Sequence, residues 1–130
     1  MLLLDVTNDL NLLEKLSDAI FGTPYEGQTG YILMADGGPA GLARCTVTEE
    51  SCTIERVGVL PKLRKKGYGD FLTRVLMHNF SLIAPKVEIG YVSDYFLKFG
   101  FHTAGDRMEI DSDTIQFPCK CKEGANHGDQ

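Results

Sequence analysis

The 130-residue sequence has no apolar run long enough to cross a bilayer. Its Met-Leu-Leu-Leu start lacks a basic flank and is interrupted by Asp5 and Asn8, which argues against a signal peptide or a membrane anchor and makes a cytoplasmic protein the expectation. Excess positive charge is also missing. With 13 basic against 18 acidic residues the formal net charge is −5, which opposes the counterion-driven attraction behind non-specific nucleic-acid binding, so no nucleic-acid partner is expected. Four cysteines are too few for a disulfide framework at this length, and free thiols in a reducing compartment follow. Internal repeats are absent, and low complexity is confined to the end of the chain.

What is present is enough for one core, with 43% hydrophobic residues in a single domain's length of chain. Residues 1–118 read as that domain, and residues 119–130, rich in Gly, Asn, Asp and charge, as a flexible tail. Residues 2–6 form an apolar strand that runs into Thr7-Asn8-Asp9, side chains suited to capping a helix. Leu13, Leu16 and Ile20 then recur at helical spacing until Gly22, Pro24 and Gly27 end the helix. Residues 31–35, 40–48 and 53–59 read as an antiparallel meander, with Asp36-Gly37-Gly38-Pro39 as the first turn. A two-residue Glu49-Glu50 loop would set Thr48 opposite Ser51 and Arg44 opposite Glu55. It would also place Ala43, Cys45, Val47, Cys52 and Ile54 on one face, with Cys45 and Cys52 as diagonal neighbours too far apart for a relaxed disulfide.

Residues 67–83 are the clearest helix, with Phe71, Leu72, Val75, Leu76 and Phe80 opposite Thr73, Arg74, His78 and Ser81. A short strand at 87–89, a helical turn at 94–99 ending on Gly100, and a hairpin within 101–117 complete the chain. Strands first, then strand and helix in alternation, give an α/β or α+β mixed sheet covered by helices.

The chemistry-bearing segment joins the strand through Val59 to the helix from Gly67 by way of Arg64-Lys65-Lys66-Gly67-Tyr68-Gly69. Glycines allow a tight turn and close approach, so successive N–H groups and the positive helix end converge on a diphosphate, and Arg64, Lys65 and Lys66 add charge there. A Walker A loop is excluded because no Gly-Lys-Ser/Thr follows. A dinucleotide fingerprint is excluded because the third glycine and the later acidic strand end are missing.

Val59-Leu60-Pro61 followed by Arg64-Lys65-Lys66-Gly67-Tyr68-Gly69 resembles the signature of the GNAT superfamily, the GCN5-related N-acetyltransferases. Tyr95-Phe96-Leu97-Lys98-Phe99-Gly100-Phe101 resembles that family's second motif, at a fitting distance. The likeness covers residues 2–117. It implies a mostly antiparallel sheet, V-split between its fourth and fifth strands, that binds acetyl-CoA. The backbone of Val57 and Val59 would hold the pantetheine amides, the N–H groups of Lys65, Lys66, Gly67, Tyr68 and Gly69 the pyrophosphate, and Arg64 would shape the loop. The implied activity is acetyl transfer to a primary amine of a small molecule or peptide by direct attack. The alternative is a non-catalytic acyl-CoA-binding module of the same fold.

Three departures from the family pattern stand out. Asp70 places a carboxylate beside the phosphate loop, where it suits the helix dipole but repels the ligand. Phe96 occupies the position of a family tyrosine that protonates the leaving thiolate. Only one helix precedes Tyr31 where larger members have two, so part of the acceptor wall is missing or is completed by a second subunit in a homodimer.

Acyl transfer to an amine needs a base, a polarised carbonyl and a proton for the leaving sulfur. Glu55 is the base candidate, on the strand that ends at the loop and on a face shared with Thr53, Val57 and Val59; a cross-strand ion pair with Arg44 is its structural alternative. Tyr91 and Tyr95 are the acid candidates, with aromatic packing as theirs. His78 reads as solvated, and His102 has no evident partner. Cys119, Cys121 and His127 offer three ligands where a structural zinc takes four, so no metal site is expected.

Overall fold

A computed structural model describes residues 1–118; the expected tail and its Cys119, Cys121 and His127 lie outside the described residues. Strand β1 (Leu2–Thr7) leads into helix α1 (Leu10–Phe21). Asp9 caps α1 by accepting the Leu12 N–H at 3.2 Å. Gly22 ends it at φ +72°, donating to the carbonyls of Ser17 and Asp18. The meander follows as β2 (Gly30–Ala35), β3 (Gly38–Val47) and β4 (Ser51–Val59). Its first turn is shorter than the sequence suggests: Asp36 and Gly37 alone make it, both at positive φ, as in the two-residue hairpin turns that match strand twist. Gly38 and Pro39 therefore belong to β3.

Helix α2 (Tyr68–Ile83) carries the chain over to β5 (Lys86–Ile89), and a short 3-10 helix (Asp94–Phe99) precedes the hairpin β6 (His102–Ala104) and β7 (Arg107–Asp111). The seven strands lie in the order β1-β2-β3-β4-β5-β7-β6, and only β4 and β5 run parallel. Each helix covers one face of the sheet. Leu13, Leu16 and Ile20 of α1 bury against Ile32 and Leu42. On the other face, Leu72, Leu76, Met77 and Phe80 of α2 join Leu33, Ala43, Ile54, Ile89, Phe96, Phe99 and Met108 in the main core.

The buried stripe of α2 is rotated from the one its sequence suggests. Thr73 and Met77 are buried, while Phe71 and Val75 lie at its edge. Thr73 is tolerated there because its hydroxyl donates to the Gly69 carbonyl at 2.7 Å, which satisfies the polar atom within the helix.

The β3–β4 hairpin closes as expected, with Thr48 N–H bonded to Ser51 O at 2.8 Å. Cys45 faces Ile54, but the next pair is Arg44 with Arg56, so Glu55 is an extra residue in a β-bulge. This overturns two expectations. Arg44 does not oppose Glu55, and the single face running through Thr53, Glu55, Val57 and Val59 does not exist. Cys52 and Ile54 point into the α2 core; after the bulge it is Val57 that packs there, while Arg56 and Gly58 lie against Phe21 of α1. Val47, near the turn of the hairpin, is 47% exposed.

The bulge also marks where the sheet opens. Strands β4 and β5 pair from Ser51↔Lys86 to Ile54↔Ile89, and their last bond is Gly90 N–H to Ile54 O at 2.8 Å. Beyond it β4 continues to Val59 while the segment after β5 turns away toward Asp94, which gives the V-split its apex at Glu55 and Gly90.

Candidate functional site

The open edge of β4 is directed by the bulge. Leu60 N–H donates to Ala40 O at 2.8 Å, and by strand alternation Val57 and Val59 turn their backbone groups the other way, into the split. Arg64 Nε donates to Val59 O at 3.0 Å and its guanidinium reaches Ile20 O at 3.4 Å, tying the loop to β4 and α1. The Val59 carbonyl is thus already engaged, leaving the Val59 N–H and both Val57 groups on that edge.

Lys65 at φ +68° and Gly67 at φ +83° bend the loop so that Tyr68 can start α2. The first N–H groups of a helix have no acceptor within it, so residues 68–70 present donors at the positive end of α2. Lys65 and Lys66 are exposed beside them. A Cβ on Gly69 would touch only Val59 Cγ2, at 3.6 Å. The missing side chain therefore leaves room in a cleft of about 230 Å³ lined by Val57, Gly69, Asp70, Tyr91, Tyr95 and Phe96, among others.

Asp70 is not the bare repulsive charge that its position suggests. Its Oδ2 accepts from Arg74 Nε at 2.9 Å, one helical turn on, and its Oδ1 accepts from the Tyr95 hydroxyl. Arg74 extends the link to the Pro118 carbonyl at 2.8 Å. The Asp70–Arg74 pair was legible from its i, i+4 spacing. The bond to Tyr95, 25 residues away, had no local signal.

On the other side of the split a groove of about 580 Å³ is lined by Phe21, Arg44, Glu55, Arg56, Val57 and Tyr91. Glu55 Oε2 accepts from Thr46 Oγ1 at 3.0 Å, and Oε1 lies 3.9 Å from an Arg107 nitrogen. The ion pair foreseen with Arg44 is replaced by these contacts. Arg107 also approaches Glu88 at 3.9 Å, while its Nε is buried without a hydrogen bond. Neither Thr46 nor Arg107 was singled out in the sequence.

Tyr91 lines both the cleft and the groove. Its ring packs edge-on against Phe96, and burial raises its pKa above the ordinary tyrosine value, with the Cys45 thiol adding to the effect. Phe96 is 2% exposed, packed among Tyr91, Tyr95 and Phe101. His78 is exposed against Phe117, as expected of a surface residue. His102 does have a partner, with Nε2 3.5 Å from Glu109 Oε2. Cys45 and Cys52 are free thiols.

No protein-family model matches the sequence, and no curated protein matches it significantly. Solved structures do match by shape. The ribosomal-protein-S18-alanine N-acetyltransferase from Escherichia coli superposes with a TM-score of 0.72 at 16% identity, over 92% of this chain and 97% of that one. A GNAT family acetyltransferase from Brucella melitensis, in complex with acetyl-CoA, gives 0.63 at 15% identity over 84% and 88%. An Arabidopsis thaliana protein in complex with the bisubstrate analogue CoA-Ac-MVNAL gives 0.68 at 16% identity over 85% and 98%.

Proposed function

From a chain that has the GNAT fold, we propose an acetyl-CoA-dependent N-acetyltransferase that transfers the acetyl group to a primary amine by direct attack. The observation that carries this reading is the cleft itself. A parallel strand pair parts at a bulge, and the open edge of β4 faces a left-handed loop whose Gly69 leaves the space beside Val59 clear. Acetyl-CoA fits these residues. The N–H groups of residues 65–69 with Lys65 and Lys66 would hold its diphosphate, and the outward backbone groups of Val57 and the Val59 N–H its pantetheine arm. The Asp70 charge is offset by Arg74 and does not stand against an anion at the helix end. When bound, acetyl-CoA supplies an activated thioester acyl group.

Glu55, at the apex between cleft and groove, takes the proton from the attacking amine at its carboxylate. Tyr91, which reaches both spaces and is kept protonated by burial, gives its hydroxyl proton to the departing sulfur. Tyr95 is the weaker acid, because its hydroxyl already donates to Asp70; its role is to fix the start of α2. The test is thiol release from acetyl-CoA over an amine panel, alongside the thermal shift caused by CoA. Release with some amine supports the enzyme, and no shift at saturating CoA sinks the assignment.

A second reading rests on Phe96. Where the family motif carries a tyrosine, this chain has a buried phenyl ring without a proton to give. A CoA-dependent thermal shift with no turnover on any amine would make the protein an acyl-CoA-binding module.

A further inference from the structure

Three hollows among the described residues form a series, because neighbouring ones share walls. The cleft at Gly69 shares Val57 and Tyr91 with the groove at Glu55, and that groove shares Phe21, Arg44 and Arg56 with a hollow bounded by Ser17, Pro24, Tyr25 and Glu26. Along the series the order is Tyr91, Glu55, the two arginines, and Glu26.

Arg44 and Arg56 are directly opposite each other on β3 and β4, a register that exists only because of the bulge. Like charges in directly opposed strand positions destabilise a sheet. Among the described residues, neither guanidinium has a carboxylate at ion-pair distance, in a chain with 18 acidic residues. Arg56 is steadied by Thr23 Oγ1 at 2.9 Å and by the Phe21 ring, 4.3 Å from its central carbon, contacts that orient it without neutralising it. Glu55, the nearest carboxylate in sequence, is turned to Thr46 and Arg107. Two partly buried guanidinium groups in the wall of one groove, with no ion pair among the described residues, suit a planar anion, which arginine takes by paired hydrogen bonds.

We propose that the acceptor is a small amine that also carries a carboxylate, with its amine at Glu55 and its carboxylate held by Arg44 and Arg56. This rests on the acetyltransferase reading and names its substrate class.

The experiment compares matched acceptors: amino acids, the corresponding carboxamides, and aminoalkylphosphonates of the same chain length. Each is followed by acetyl-CoA-dependent thiol release and, separately, by binding to the CoA-loaded protein observed by NMR. Charged hydrogen bonds of this kind favour the acid over its amide by roughly tenfold or more in kcat/KM. That ratio falls toward one in Arg44→Gln, which removes a guanidinium with no hydrogen bond or ion pair among the described residues, and likewise in Arg56→Gln; it inverts in Arg44→Glu. Carboxamides used as well as the acids, or phosphonates preferred to both, overturn the proposal while leaving the acetyltransferase reading intact. If no amine is turned over, that reading fails and the binding arm still decides: carboxylate-bearing amines that bind more tightly than their amides, and lose the advantage in Arg44→Gln, support the anion site, and equal binding overturns it.

Discussion

Glu55 and Gly90 compete for one volume: a Cβ on Gly90 would lie 2.5 Å from Glu55 Oε1 and 3.3 Å from its Cα. Gly90 is a glycine for space, since its φ lies outside the left-handed region. Gly90→Ala therefore displaces the carboxylate from the apex without altering its chemistry. The expected result is a fall in kcat approaching that of Glu55→Gln, roughly 100-fold for loss of a general base, with CoA binding retained in both. Full activity in Gly90→Ala, measured by thiol release, would show that the position of Glu55 does not matter.

The phosphate loop offers one clean substitution and one confounded one. Gly67 sits at φ +83°, so any side chain there strains the loop whatever happens to the ligand. Gly69 has ordinary backbone angles and a single neighbour at van der Waals distance. Gly69→Val should keep the wild-type melting temperature without ligand and lose the stabilisation by CoA, which for wild type is about 2.7 kcal/mol at a hundredfold excess over Kd.

The two tyrosines separate by kinetics. Tyr91→Phe should lower kcat by roughly 100-fold and remove the alkaline limb of the pH–rate profile. Burial raises the Tyr91 pKa, so in the wild type that limb lies above the usual tyrosine range near 10. Tyr95→Phe breaks the bond to Asp70 and should instead weaken CoA binding with kcat largely kept. Near-normal rates for both variants would leave protonation of the thiolate to solvent.

Alkaline pH should unfold the protein earlier than its acid content suggests. Burial raises the pKa of Cys45, where the Glu55 carboxylate adds to it, and of Cys52, Tyr25, Tyr31 and Tyr91. Each is raised above its unfolded value, so the unfolded chain loses these protons first and stability falls as pH rises. The melting temperature should hold below the free-thiol value of about 8.5 and decline above it. In a Cys45→Ala, Cys52→Ala variant the onset should move toward the tyrosine range.

Most of the fold was legible because it is written locally: Asp9 and Gly22 at the ends of α1, the Thr48–Ser51 closure, the loop into α2. The register of β4 was legible only as far as Ile54. A bulge adds one residue with no composition of its own, so counting from the turn placed Arg44 against Glu55 and kept Thr53 and Val57 on one face, both of which the fold contradicts. The α2 stripe slipped for a different reason, since Thr73 reads as polar until its hydroxyl is seen to be used inside the helix. Long-range partners such as Tyr95 with Asp70 and Arg107 with Glu55 depend on topology alone.

The bulge also gives β4 one residue that its register does not need. Glu55 is the extra residue, so a chain without it passes from Ile54 straight to Arg56 and regains plain alternation, with every later residue keeping its side. Arg56 and Gly58 would stay along α1, and Val57 under α2. A strand shortened here would lose the carboxylate and the local kink while keeping the packing of both sheet faces, so related chains can differ in length at this point of β4 without rearranging either core.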